Sequence, residues 1–387
     1  MSDIALLLLV LFSFYLTDSS LWLTRDTVVF LSTLGRAWRP TVPHALLSRK
    51  EKGLFPAFRL PPLAPVYLCR PLGINVSPQG FCLAPPSAGP EDASATSLHP
   101  IRFIELCAVT TEGRTVRVNG RPHLHCQTGS QATFLARLLT ELAPLSEDKR
   151  AASLAQLLIQ ALDPGRIRAD VEAHSQDVLP LRLLCNGLFL YLFVALPVIL
   201  TQFEPARIYV WVIATVVGLV GAIAVEFFRI HRRHWPTEKQ ERFSTLLHFI
   251  LYLPSAIRAS DLVSHRLLSL AHPLAAAYVL CPPGTFHRFA RRFLRRLYYP
   301  VPPPAVEPQA AGIVAWSNAL ERDCVRAFLR AHRIEESALL QPPSRPDDQS
   351  RSYCPRCETS YTVHEGTCGD CPGVALMPYL PPHLVKA

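Results

Sequence analysis

The apolar positions of this chain fall into a few long runs, and the longest decide the expected architecture. Residues 183–200, extendable to 203, and residues 208–225, closed by Glu226, carry no charge in their middles. Each is close to the ~20 largely apolar residues that cross a bilayer. Only residues 201–207 separate them, so the pattern predicts an antiparallel helical hairpin. Asn186 and Pro197 interrupt the first run, as membrane helices tolerate where a neighbour supplies partners. In the second, Ala214, Gly218 and Ala222, with Gly221 beside them, form a stripe of small residues. Another helix can approach such a stripe closely. A third run, residues 4–16 continuing with interruptions to 23, is short for a span. It lacks the basic start and the small-residue cleavage site of a signal peptide, and it reads as a retained N-terminal anchor.

Elsewhere the periodicity is that of mixed strands and helices. Strand-like fragments at 22–30, 65–69 and 81–84 stand among prolines, and 89–100 is a polar loop. Residues 101–108 alternate weakly and 115–118 alternate better. Asn119-Gly120 is a hairpin turn signal, and 123–126 is the returning strand. Ser130 is placed to cap a helix whose apolar face is Phe134, Leu135, Leu138, Leu139 and Leu142. Strands, a hairpin and a closing helix beside membrane spans loosely resemble bacterial pleckstrin-homology-like domains over residues 101–142. A second amphipathic helix, 151–162, precedes the membrane hairpin. Beyond the hairpin, 245–253 and 262–281 read as cytoplasmic or interfacial helices rather than as spans.

Residues 286–299 form a basic amphipathic helix, with Thr285 as its cap and Pro300 as its stop. Phe286, Phe289, Phe293 and Leu297 gather on one face; Arg288, Arg291, Arg292 and Arg295 gather on the other, with Arg296 at the border. That arrangement suits an anionic membrane surface. Packing of the aromatic side on a core is the close alternative, and nucleic-acid phosphates are a third partner for the arginines. A proline linker (301–309), an amphipathic helix (313–330) and a polar tether (341–352) follow.

Composition supports the membrane reading. The chain is 49% hydrophobic and 18% charged, below the ~25% usual for soluble domains, and its mean hydropathy is +0.20. Lys and Arg number 39 against 30 Asp and Glu, a net charge of +9. Arg229, Arg232 and Arg233, with His231 and His234, follow the second hairpin run; Arg36, Arg39, Arg49, Lys50 and Lys52 follow the first anchor. Basic residues stay on the cytoplasmic side. The expected topology therefore has the N-terminus outside and the C-terminus in the cytoplasm, in a plasma or bacterial inner membrane. The Asn75-Val76-Ser77 sequon is then unused. No Asp, Glu, Lys or Arg lies at mid-membrane depth, where transporters and proton relays keep one, so transport is disfavoured.

The chemistry that stands out is at the end of the chain. Of eleven cysteines, Cys69, Cys82, Cys107, Cys126, Cys185, Cys281 and Cys324 are scattered singly. The other four form two pairs, Cys354-x2-Cys357 and Cys368-x2-Cys371, ten residues apart. Each pair aims two sulfurs from one tight turn at a single ion, and four thiolates make the closed tetrahedral set of structural zinc. Pro355 stiffens the first turn, and Gly369 and Gly373 permit positive φ in the second. Residues 353–378 resemble a short zinc ribbon, which implies a rigid platform for protein or nucleic-acid contacts. His364 is a bystander in the spacer. His123 and His125 share a strand face beside Cys126 but lack a third ligand, and read as polar strand positions.

No Walker A loop, H-E-x-x-H, G-x-S-x-G or dinucleotide fingerprint is present, and a site of four cysteines leaves no open position for an activated water. The expected fold is a membrane α+β protein. Its parts are an N-terminal transmembrane anchor (1–24), a cytoplasmic α+β domain (25–180), a transmembrane hairpin (181–228), cytoplasmic or interfacial helices (229–300), a linker with an amphipathic helix (301–352) and a zinc ribbon (353–387). The expected function is non-catalytic: a chain anchored in the lipid bilayer that presents its cytoplasmic domain and ribbon to a protein partner. The alternatives are a membrane-embedded enzyme or transporter, and a membrane-tethered nucleic-acid-binding regulator.

Overall fold

Helices form where the apolar periodicity is helical, and their ends fall at prolines and charges. The computed structural model describes residues 3–18, 20–23, 27–32, 40–44, 53–56, 66–69, 72–83, 99–126, 128–202, 205–236, 238–301 and 307–379. The basic residues expected after the anchor (Arg36, Arg39, Arg49, Lys50, Lys52), most of the polar loop and the centre of the proline linker lie outside the described residues. In chain order the helices are Asp3–Asp18 (α1), Gly129–Leu142 (α2), Glu147–Ala161 (α3), Pro164–Leu190 (α4), Leu196–Gln202 (α5) and Pro205–His234 (α6). Lys239–Leu251 (α7), Leu253–Ile257 (α8), Ala259–Leu267 (α9) and Pro273–Leu280 (α10) follow. Pro283–Tyr298 (α11), Pro308–Ala331 (α12) and Glu336–Leu339 (α13) complete them. Contacts divide the chain into two units, residues 1–72, 107–140 and 164–281, and residues 73–106, 141–163 and 282–387.

In the first unit both apolar runs are helical. α4 passes through one π-helical turn, Tyr191–Ala195, into α5. Pro197 explains that turn: it has no N–H to donate and its ring crowds the preceding carbonyls, and one widened turn absorbs both defects. Residues Pro164–Gln202 and Ile208–His234 are two helices long and apolar enough to cross a membrane. Val178, Leu181, Cys185, Leu188, Leu192 and Leu196 share one buried apolar cluster with Ile223, Phe227 and Ile230, at three- and four-residue steps along each helix. Outward positions are apolar as well: Leu183, Leu190, Val194 and Val198 on one side, and Val210, Trp211, Ile213, Val217 and Val225 on the other, are exposed. The hydroxyls are satisfied within their own helices, Thr215 donating to Trp211 O at 2.8 Å.

Three details differ from the sequence reading. The small-residue stripe of α6 does not face α4; a Cβ built at Gly218 or Gly221 meets nothing within 4 Å. The large side chains of α4 need the Ile223–Phe227–Ile230 face instead, where they interdigitate. α1 stops at Asp18, and Ser20–Leu23 is a strand paired with Gly53–Pro56 rather than a continuation of the helix. At 16 residues, about 24 Å, α1 is shorter than a full span. It packs on the hairpin through Phe12–Phe193 and Tyr15–Phe189.

Besides that strand pair, the same unit holds two three-stranded sheets. Val28–Ser32 lies between Pro40–His44 and Val66–Cys69; the last of these is buried along its length and packs on α9. Val109–Glu112, Thr115–Val118 and Arg121–His125 form an antiparallel meander. Asn119 and Gly120 both have positive φ, 50° and 79°, the two-residue turn that Asn-Gly signals. Asn119 Oδ1 also accepts the amides of Cys107 and Ala108. α2 follows, capped by Thr128 rather than Ser130: Thr128 Oγ1 accepts the Gln131 N–H at 3.1 Å. Ser130 instead donates its N–H and hydroxyl to the buried Glu238, which also pairs with Arg266. At the basic end of α6, Asp177 of α4 pairs with Arg233 at 2.7 Å and His234 at 3.0 Å.

In the second unit, Ile74–Val76, Gly80–Leu83 and Ile101–Arg102 form a sheet that packs on α12 through Cys82, Ala310 and Ile313. The alternation expected at 101–108 ends after two residues in a 3-10 turn, Phe103–Glu105. Arg150 of α3 donates to Leu142 O, Ala143 O and Pro78 O and lies 4.5 Å over the Phe103 ring. The ribbon segment completes this unit.

Candidate metal centre

The C-terminal segment is built on three two-residue strands. Ser352–Tyr353 is central, flanked by Ser360–Tyr361 and Met377–Pro378, all antiparallel. Each cysteine pair sits at the tip of a hairpin. In the first, Cys354 N–H donates to Thr359 O and Glu358 N–H to Cys354 O, both at 2.9 Å. In the second, Cys368 N–H donates to Val374 O at 2.9 Å and Val374 N–H to Cys371 O at 3.0 Å. Both turns need one left-handed residue. Gly373, at φ 75°, is the one foreseen; Gly369 is not in that region, and in the first turn the residue is Glu358, at φ 64°.

These turns bring the four sulfurs of Cys354, Cys357, Cys368 and Cys371 within 4.8 Å of one another. The sulfurs of Cys357 and Cys368 lie 3.5 Å apart. A tetrahedral ion with sulfurs at roughly 2.3 Å holds them about 3.8 Å apart, so the set fits a metal after small shifts of the sulfurs. Cys354, Cys368 and Cys371 are buried, and Cys357 is exposed. Val374, Leu376, Tyr361, Tyr299 and Val301 cover the cluster.

Donors aim at the sulfurs. The Tyr361 hydroxyl donates to Cys368 at 3.2 Å and itself accepts the Gly369 N–H. The Thr359 hydroxyl lies 3.2 Å from Cys357, and the amides of Arg356 and Cys357 point at Cys354. Burial pushes the Cys354 thiol up. At Cys368 burial acts in the same direction, but hydrogen bonds from Tyr361 and the neighbouring cysteines outweigh it and hold the thiol below its usual value. Four such groups cannot all ionise side by side without a cation between them. The arrangement is therefore a closed ligand set: it can hold a metal ion and leaves no coordination position for a reactant.

Other sequence candidates are not brought to this centre. His364 is exposed in the spacer. His125 contacts Thr115 Oγ1 at 3.2 Å, and among the described residues the four cysteines are the group of His, Cys, Asp or Glu placed to hold an ion.

The basic helix presents its arginines to two surroundings. α11 begins at Pro283, with Pro282 as its cap, and buries Phe286, Phe289, Ala290 and Leu294. Phe293 and Leu297 are half-buried. Of the five arginines singled out for a membrane surface, Arg288 and Arg292 are exposed and Arg296 is half-buried. Arg291 and Arg295 turn to the first cysteine turn. Their Nε atoms lie 2.7 and 3.1 Å from the Glu358 carboxylate. Arg295, 2% exposed, also donates to Pro355 O at 3.0 Å and to Gln341 O. In return Arg356 donates to Arg296 O at 2.9 Å and Tyr299 O at 2.7 Å, satisfying carbonyls that the C-terminus of α11 leaves open. The ribbon is thus docked on α11. Periodicity cannot find this, because it shows that four arginines share a face but not that a single Glu358, more than sixty residues on, turns two of them inward.

No family model, curated protein or solved structure matches the chain. Its function has to be argued from its own residues.

Proposed function

We propose that the chain is a non-catalytic membrane-anchored protein that carries a structural zinc ribbon, docked on a basic helix, for interaction with a protein partner. The observation that carries this reading is the closed four-sulfur set combined with its docking. The cysteines are covered from one side by Tyr299, Val301, Val374 and Leu376, while Val363, His364, Glu365 and Asp370 remain exposed on the spacer and second turn. Zinc suits four thiolates in a closed site better than harder ions do. Its contribution here is folding energy, on the order of 10 kcal/mol, and a rigid surface.

Anchoring is supported by the outward apolar faces of α4, α5 and α6, which a soluble protein does not leave in water. A cytoplasmic side for the basic end of α6 is supported by Arg229, Arg232 and Arg233 through the positive-inside rule. With Arg291 and Arg295 bound to Glu358, two fewer side chains of α11 remain for a lipid or nucleic-acid phosphate. A nucleic-acid role through this helix is correspondingly disfavoured.

The test is purification of the full chain in detergent, followed by metal analysis and identification of co-purifying proteins. One zinc per chain and a partner lost on Cys354→Ser are the expected results. Zinc-free, freshly reduced protein, or a partner retained by a metal-free variant, contradicts the reading.

A further inference from the structure

We propose that α7 is a further membrane element, its apolar stripe embedded in the phospholipid leaflet next to the basic end of α6. The inference rests on the preceding reading that α4, α5 and α6 cross a bilayer. Phe243, Leu247, Ile250 and Leu251 recur at four-, three- and one-residue steps along α7, which places them on one face. All four are exposed, from 57% at Leu247 to 75% at Leu251. Scattered exposed leucines are ordinary on protein surfaces, but a stripe along a whole helix is not.

Two contacts set the height of α7 along α6. Near its start Arg242 Nε donates to His231 Nδ1 at 3.3 Å, and near its end the Phe249 ring meets Phe227 at 5.0 Å. Seven residues of α7, about 10 Å, thus climb four residues of α6, about 6 Å. The helix rises obliquely from the basic end of α6 toward Glu226, where the apolar run begins. Ile250 and Leu251 are its deepest residues and Lys239 its shallowest. An amphipathic helix in the headgroup and upper acyl region has this posture.

The stripe is continuous with other apolar surface. The Tyr252 hydroxyl donates to Phe14 O at 2.9 Å, and the two rings meet edge to face at 5.9 Å. Phe14 leads to the exposed Leu6, Leu9 and Val10 of α1. Arg232, exposed near the foot of α7, matches anionic headgroups at the same level. A lipid leaflet covers the whole continuous surface; a protein partner covers it only if it wraps three helices.

The test uses the full chain in nanodiscs of phosphatidylcholine and phosphatidylglycerol. A small fluorescent amino acid replaces Phe243 or Ile250 in separate samples, with Val217 of α6 and Arg330 of α12 as references. Quenching by doxyl-labelled lipid is compared with quenching by aqueous iodide. Positions 243 and 250 are expected to behave like 217, quenched several-fold more by lipid than by iodide, while 330 shows the reverse. Quenching of 243 and 250 by iodide with 217 still lipid-quenched overturns the proposal and leaves the anchor standing. Shielding of both positions from both quenchers also overturns it, since a second copy or a protein then covers the stripe. Iodide quenching at 217 removes the membrane reading itself, and the proposal falls with it.

Discussion

Arg295 and the cysteines carry the account at the scale of single residues. Removing one partner from a buried ion pair costs about 3–5 kcal/mol, because the remaining charge keeps its desolvation penalty. Arg295→Met removes the side chain that joins Glu358, Pro355 O and Gln341 O, whereas Arg292 on the same helix is exposed. The expectation is a clear loss of thermal stability and of metal retention for Arg295→Met, and a change within about 0.5 kcal/mol for Arg292→Met. Parallel melting and metal-release curves check the contrast; equal effects contradict the docking. Acidity acts on the same centre. Metal binding requires deprotonated thiols, so retention is complete near neutral pH and is lost as the pH falls. A metal titration against pH follows the loss.

Among the elements, the basic end of α6 is the best-defined junction. Glu238 receives two donors from Ser130 at the start of α2 and pairs with Arg266 of α9. It is almost fully buried, as is the neighbouring His231. Glu238→Gln keeps the shape but removes the charge that Arg266 faces, and a cost of about 3 kcal/mol is expected. Glu226→Gln, whose partner Arg229 is exposed, is expected to cost well under 1 kcal/mol. Denaturation of the two variants in the same detergent separates them.

Legibility also divides at this scale. The two long helices, the Asn119-Gly120 turn, the amphipathic helices and the cysteine pairs were readable because each is fixed by local sequence: hydrophobic period, a turn dipeptide or ligand spacing. What escaped depends on partners distant in sequence. Thr128 caps α2 because Ser130 is taken by Glu238. The small stripe of α6 faces outward because α4 presents large side chains to the opposite face. Residues 20–23 leave the first apolar run because they pair with 53–56.

For the whole molecule, the unusual property is apolar side chains on both the inner and outer faces of the same helices. The inner seam explains why α4 and α6 pair; the outer residues are the ones that the proposed bilayer covers. The chain is expected to stay in the membrane fraction through an alkaline carbonate wash and to need detergent for release. The second unit adds the small four-cysteine segment, whose folding, on the proposed reading, rests on a bound metal. A chelator is therefore expected to expose all four of its thiols to a thiol reagent while the helical content of the first unit persists. On the proposed reading, a metal held by four sulfurs organises the end of a membrane-bound chain. X-ray absorption at the zinc edge, on the intact detergent-solubilised protein, tests it most directly. The account predicts one zinc per chain with four sulfur scatterers at roughly 2.3 Å; nitrogen or oxygen in the first shell, or no zinc beside four free thiols, contradicts it.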